Sequence, residues 1–294
     1  MKVAKNWSDF EVIASGDGMK LERWGAVFLK RPDPQAIWSI DFNKIPEQKQ
    51  VHAEYARDQS GGGKWVDKKK MPEEWQVSYN DLKFLVKPMG FKHTGLFPEQ
   101  AINWDFIRRL IKDRKDVKVL NLFGYSGAAS VAAAKEGAHV VHVDASKGMV
   151  DRCKQNMKLN KLEGASVRYI VDDCEKFIER EERRGNQYDV IIMDPPSYGR
   201  GPSGEIWKLE VKLFEFVKKC AKILSDKPVA VLINSYTTGL SAGAIANVLR
   251  LATKDLKGEV VADEIGLPQN DGLILPCGSS SWWVAVAKNI KEWK

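Results

Sequence analysis

From Phe97 onward, short apolar runs rich in β-branched residues alternate with longer stretches of helical period. The runs fall at 117–122, 139–143, 167–171, 189–193 and 228–233, with helix patterns at 126–136, 146–159, 175–184 and 206–224 between them and 242–253 after the fifth. A strand that is apolar along nearly its whole length has both faces covered, and strand–helix alternation supplies the cover. The pattern therefore predicts an α/β domain with a parallel sheet. An amphipathic helix at 99–112 leads into it, with Ile102, Phe106, Ile107 and Leu110 on one stripe. The last two runs, 259–265 and 281–288, leave little room for a helix between them, so that pair is expected to be antiparallel.

Residues 1–90 have a different character. Short apolar runs are broken by turn signals: Asp17-Gly18, a hairpin dipeptide, then Arg31-Pro32-Asp33-Pro34 and Gly61-Gly62-Gly63. Residues 19–30 read as one extended run and 75–86 as one or two strands. The expected organisation is a small β-rich appendage over 1–90, a candidate for substrate recognition, followed by the α/β domain over 91–294.

Four places at the ends of the predicted parallel strands carry chemistry. The first strand ends in Asn121-Leu122-Phe123-Gly124-Tyr125-Ser126-Gly127 and enters a helix of small residues. Glycines there let the backbone approach a ligand, and the helix start offers free N–H groups. The same spacing also makes a plain tight turn, and it lacks the three-glycine dinucleotide fingerprint. The second strand ends in Asp144-Ala145-Ser146. A carboxylate at this tip can accept both ribose hydroxyl protons of a nucleotide; its competing role is a helix cap. After the third strand, Asp172-Asp173-Cys174 offers an acceptor for an adenine amino group. Asp173 is expected in that role, Asp172 as the helix cap, and the residue after Asp173 packed on the ring. The fourth strand ends in Asp194-Pro195-Pro196-Ser197-Tyr198. Two prolines remove two donors and stiffen the turn, leaving carbonyl acceptors beside an acid and an aromatic ring. That combination suits an amino group on a planar substrate better than hydride transfer to a nicotinamide.

These segments resemble the class I S-adenosylmethionine-dependent methyltransferases, and within them the branch related to bacterial 23S ribosomal RNA (cytosine-C5) methyltransferases. The resemblance covers roughly 90–290 and rests on 120–127, 143–146, 171–173 and Asp194-Pro195-Pro196-Ser197-Tyr198-Gly199-Arg200-Gly201. It implies a Rossmann-like seven-stranded methyltransferase sheet with its last strand antiparallel, next to the small N-terminal β-rich domain. It implies S-adenosyl-L-methionine as cofactor, with contacts from Asn121, Phe123, Gly124, Tyr125, Gly127, Asp144, Ala145, Asp172, Asp173, Cys174 and Asp194. Phe97 and Gln100 join them because Phe97-Pro98-Glu99-Gln100 stands where that branch carries a cofactor-enclosing segment. Asp194, Pro195, Pro196 and Tyr198 are implied as the catalytic group.

One departure bears on the chemistry. Methylation at pyrimidine C5 needs a cysteine nucleophile, which the branch carries just after the fifth strand. Here Asn234-Ser235-Tyr236-Thr237 occupies the place, and Cys277 is the remaining candidate, with a structural thiol as its alternative. A base amino group is therefore expected over C5. A protein side chain, a small molecule, or cofactor binding without catalysis stay open as alternatives.

The net charge of +7 favours an anionic partner, and RNA is the expected one. The four cysteines and four histidines show no metal-ligand spacing, so no metal is expected. The absence of a long apolar run predicts no membrane association and a cytoplasmic protein. Trp24, Trp38, Trp65 and Trp75 fit either base stacking or the core of a small domain, the second being the commoner use.

Overall fold

A computed structural model describes residues 1–58, 62–200, 206–237, 239–286 and 293, the side chain of Arg200 excepted. Gly61, Gly201 and the end of the strand expected at 281–288 thus lie outside the described residues. The chain forms two compact units, Met1–Ile102 with Ile265–Cys277, and Asn103–Glu264 with Gly278–Lys294.

The first unit holds β1 (Lys2–Val3), β2 (Phe10–Gly16), β3 (Met19–Trp24), β4 (Val27–Pro32), β5 (Ala53–Arg57), β6 (Gly63–Asp67), β7 (Trp75–Tyr79) and β8 (Leu82–Val86). Strands β2 to β6 form one sheet in sequence order, and β7–β8 a separate hairpin. Asp17 (φ 47°) and Gly18 (φ 72°) turn β2 into β3, the paired left-handed geometry that an Asp-Gly hairpin requires. The single run expected over 19–30 is two strands, because Gly25 turns left-handed (φ 63°) and folds it back on itself. The turn expected at 31–34 starts later, since β4 pairs through Pro32 with Met19.

All four tryptophans singled out in the sequence donate their indole N–H inside this unit. Trp24 bonds to Glu22, Trp38 to the Ser15 carbonyl, Trp65 to Met89 and Trp75 to Trp24. Their rings are structural.

The second unit runs α1 (Ala101–Ile111, begun at the unit boundary), β9 (Lys118–Leu122), α2 (Ala128–Lys135), β10 (His139–Asp144), α3 (Lys147–Leu159), β11 (Val167–Val171), α4 (Cys174–Arg184), β12 (Val190–Met193), β13 (Tyr198–Arg200), β14 (Ile206–Lys208), α5 (Leu209–Lys222), β15 (Ala230–Ser235), α6 (Ala242–Ala252), β16 (Glu259–Pro268) and β17 (Ile274–Val284). The distal ends of the last two strands belong to the first unit. The sheet order is β16-β17-β15-β12-β9-β10-β11. Strands β9, β10, β11, β12 and β15 are parallel, and β17 is antiparallel to β15. Leu120, Leu122, Ile191, Met193 and Ile233 pack under Phe177, Phe216 and Leu249 of α4, α5 and α6. The alternate residue Asn121 faces α2, where its amide donates to the Ser130 hydroxyl at 2.9 Å.

Two element boundaries depart from the sequence reading. Ile206–Lys208, expected as the start of a helix, is a strand paired with Tyr198–Arg200, so a short hairpin follows the double proline. Strand β17 begins earlier than residue 281, through a polar stretch that includes Ser279, Ser280 and Ser281, all buried.

Candidate active site

In the second unit the carboxyl ends of β9, β10, β11 and β12 lie side by side, so the residues that follow them converge. After β9 the backbone is left-handed at Phe123 (φ 53°), Tyr125 (φ 50°) and Gly127 (φ 83°). Two non-glycine residues in that region are strained, and strain of this kind persists where surroundings hold it. Here the Gly124 N–H donates to the Val143 carbonyl at 2.9 Å, Gly127 N–H to the Gly124 carbonyl at 2.9 Å, and Phe123 N–H to the Cys174 sulfur at 3.3 Å. A Cβ on Gly124 would overlap the His142 ring, and one on Gly127 would overlap the Cys153 sulfur. Both glycines are thus required sterically, beyond the freedom of φ.

Asp144 ties this loop to the next. One carboxylate oxygen accepts the Tyr125 N–H at 2.8 Å and the other the Ser146 N–H at 2.8 Å. Burial raises its carboxyl above the ordinary value, while the two backbone bonds pull the other way. The helix cap of α3 is Ser146, whose hydroxyl accepts from Met149, so the competing role for Asp144 falls to its neighbour.

The roles expected for the paired acids after β11 are exchanged in one respect. Asp173, not Asp172, caps α4, accepting the Lys176 N–H at 2.9 Å. Asp172 accepts the Asp173 N–H and ion-pairs with Arg180. The difference follows from the Asp172 N–H reaching back to the Asp144 carbonyl, which keeps Asp172 in line with the strand. Cys174, expected to pack on a ring, is buried, with its sulfur turned to Phe123. Ala145 is exposed between Asp144 and the cap.

Beyond β12, Asp194 is half-buried and Pro195 buried, while Pro196, Ser197 and Tyr198 are exposed. The Pro196 carbonyl accepts the Trp207 indole N–H at 2.7 Å, and the Trp207 ring packs on Phe123 and Phe216. The Ser197 and Thr237 hydroxyls meet at 2.6 Å, joining the loops after β12 and β15. Trp207, Thr237, Ser130 and His142 were not marked by sequence. Trp207 was hidden inside a stretch of helical period. His142 stood in a strand whose other residues are apolar, and that buried polar exception was its available signal.

Phe97 and Gln100 lie in the first unit on the 3-10 turn Pro98–Gln100. Phe97 is half-buried edge-on to His93, and Gln100 is buried with its N–H on the Phe97 carbonyl. Cys277 is in that unit too. Its thiol donates to the Leu275 carbonyl at 3.4 Å, and burial pushes it well above the ordinary range. Burial also raises the thiol of Cys153 to about 12 and those of Cys174 and Cys220 further still. Among the described residues no group of three or more His, Cys, Asp or Glu side chains could hold a metal, and no helix is long and apolar enough to cross a membrane.

A parallel sheet whose order reverses beside β9, closed by an antiparallel β17, with an acid at the tip of β10, defines a Rossmann-like nucleotide-cofactor enzyme of the class I methyltransferase type. Residues 47–211 match the model of the S-adenosylmethionine-dependent methyltransferase family, and the chain belongs to that family. It superposes on the crystal structure of a SAM-dependent methyltransferase from Agrobacterium tumefaciens with a TM-score of 0.90 and 36% identity, over 97% of this chain and 93% of that one. It is 34% identical over 128 residues to ribosomal RNA large subunit methyltransferase I of Cronobacter sakazakii, which covers 43% of this chain and 32% of the relative. It is 34% identical over 152 residues to ribosomal RNA large subunit methyltransferase K/L of Pseudoalteromonas atlantica, covering 50% and 21%. The chain thus matches about a third or less of the length of these relatives.

The protein is a methyltransferase and its cofactor is S-adenosylmethionine. The residues present fit that group. The side chains absent at Gly124 and Gly127 clear a backbone cradle, and each Asp144 oxygen, with one backbone donor, retains acceptor capacity for a hydroxyl.

Proposed function

We propose that this methyltransferase acts on RNA, ribosomal RNA first among candidates, and methylates an exocyclic amine of a base rather than pyrimidine C5. The observation that carries the choice of atom is the state of the thiols. Tyr236 stands where a nucleophilic cysteine is expected, and all four cysteines are held as protonated thiols. A thiolate, not a thiol, adds to a pyrimidine ring. The likeness to two proteins named as ribosomal RNA large subunit methyltransferases supports RNA as the substrate class.

When bound, the cofactor supplies an electrophilic methyl group on a sulfonium. The loop Phe123 to Gly127 would hold its amino-acid end, Asp144 its ribose, and Asp173 with Asp172 and Cys174 would bound its adenine. Asn121, Ala145, Phe97 and Gln100 complete the assignment. Asp194 and the Pro195 carbonyl accept hydrogen bonds from the substrate amine, orient its lone pair and draw off its proton. The Pro196 carbonyl is committed to Trp207, which stiffens that acceptor edge. Tyr198 stacks on the base, which must be unpaired or flipped out to reach it. Residues 1–90 would recognise substrate, and the whole would work in the cytoplasm.

The test is transfer of tritiated methyl from S-adenosylmethionine to ribosomal RNA stripped of protein. Asp194→Ala should lower the rate by about 10²-fold or more, the usual worth of a positioned proton acceptor, and Tyr198→Ala should raise KM. Label in protein or small molecules but not RNA, or full activity in both variants, contradicts the reading.

A further inference from the structure

In the first unit, between β8 and Phe97, the 3-10 turn Gly90–Lys92 places two successive residues in the left-handed region, Phe91 at φ 54° and Lys92 at φ 64°. That backbone is disfavoured for any residue bearing a Cβ, so the surroundings must impose it. They do so with five hydrogen bonds. Met89 N–H reaches the His93 carbonyl at 2.9 Å and His93 N–H the Gly90 carbonyl at 3.2 Å. The Trp65 indole donates to Met89 at 2.7 Å, Arg31 to the Lys92 carbonyl at 3.0 Å, and the Lys92 ammonium to the Pro32 carbonyl at 2.9 Å. The result is that Phe91 stands in solvent, 76% exposed, on a turn fixed from several sides.

The surroundings of that ring are cationic. Trp65 lies on β6, the edge strand of its sheet, next to exposed Lys64, and Arg57 ends the neighbouring β5. Burial and then Lys20, Arg31 and Arg57 bring the Lys92 ammonium down to about 8, with Asp33 alone opposing. Burial with Arg31, Lys92 and Lys20 brings His93 down to about 4. Two independent groups thus register surplus positive charge at the turn. A rigid exposed ring beside uncompensated cations matches a single nucleic-acid strand, which offers base faces to stack and phosphates to pair.

We propose that Phe91 is a stacking platform for an unpaired base of the RNA, with the strand's phosphates along Lys64, Arg57 and Lys92. This rests on the reading of RNA as substrate. The test is fluorescence anisotropy of the full chain with a short fluorescein-labelled oligoadenylate, beside thermal melting. Phe91→Gly should bind about tenfold more weakly, yet melt at the same or a higher temperature, because glycine relieves the left-handed strain. Phe91→Tyr should retain affinity. Lys64→Ala should weaken binding and reduce its salt dependence by about one phosphate contact. Unchanged affinity in Phe91→Gly overturns the proposal alone. Failure of the unmodified protein to bind the oligonucleotide overturns both it and the RNA reading.

Discussion

A methyl group at position 124 would overlap the His142 ring, so the cofactor loop is held at its closest point by one buried histidine. His142 is fully buried on β10, its Nδ1 is 3.0 Å from the Ser130 hydroxyl, and Ser130 in turn accepts from Asn121. Gly124→Ala should therefore cost about 1–3 kcal/mol in urea unfolding, as overpacked sites do. It should also weaken binding of S-adenosylhomocysteine in calorimetry. Normal binding with normal stability would show that the loop yields easily. Burial lowers His142 to about 4 from an ordinary 6.5. The folded state thus prefers the neutral ring, and the stability this brings is complete above pH 6.5 and lost as the pH falls toward 4. The loss is on the order of 3 kcal/mol from a shift of that size. His142→Asn should flatten that part of the stability–pH curve, and parallel curves for the two proteins would refute the assignment.

On the scale of elements, β3 and β4 are joined by a buried ion pair. Arg31 grips Glu22 through two bonds of 2.6 and 2.9 Å, and Lys20 bridges Glu22 to Asp33. Arg31 and Lys20 hold Glu22 down to about 2 despite its burial. Arg31→Ala strands that carboxylate and should cost about 3–5 kcal/mol, whereas Glu22→Gln with Arg31→Met should cost far less. Equal losses in chemical denaturation would mean that the pair itself, rather than the stranded charge, sets stability. The parallel strands were legible because strands buried on both faces must be apolar along their length, as Val190–Met193 is. Strand β17 was legible only from its apolar end. Its serines are buried because Ser280 bonds to Asn234 and Asn103, and Asn103 also accepts from Trp282. Those partners are distant in sequence, so no local pattern announces them. The hairpin of β13 and β14 escaped for a similar reason: Trp207 is placed by Pro196 and Phe123, not by its neighbours.

For the molecule as a whole, the cofactor half of the site was readable from spacing, since Gly124, Gly127 and Asp144 sit at strand ends that the sheet brings together. Which of Asp172 and Asp173 caps α4 was not, because the choice depends on a backbone bond to Asp144. The substrate half depends on what replaces the thiolate. With Tyr236 after β15 and Cys277 held as a buried thiol, the chemistry is expected at an amine oriented by Asp194 and Pro195. The direct measurement is to methylate protein-free ribosomal RNA with tritiated S-adenosylmethionine, digest it to nucleosides and separate them, using the unmodified protein and Cys277→Ser. Label in a nucleoside methylated on its amino group, undiminished by Cys277→Ser, is the predicted result. Label in a C5-methylated pyrimidine that disappears in Cys277→Ser would contradict it.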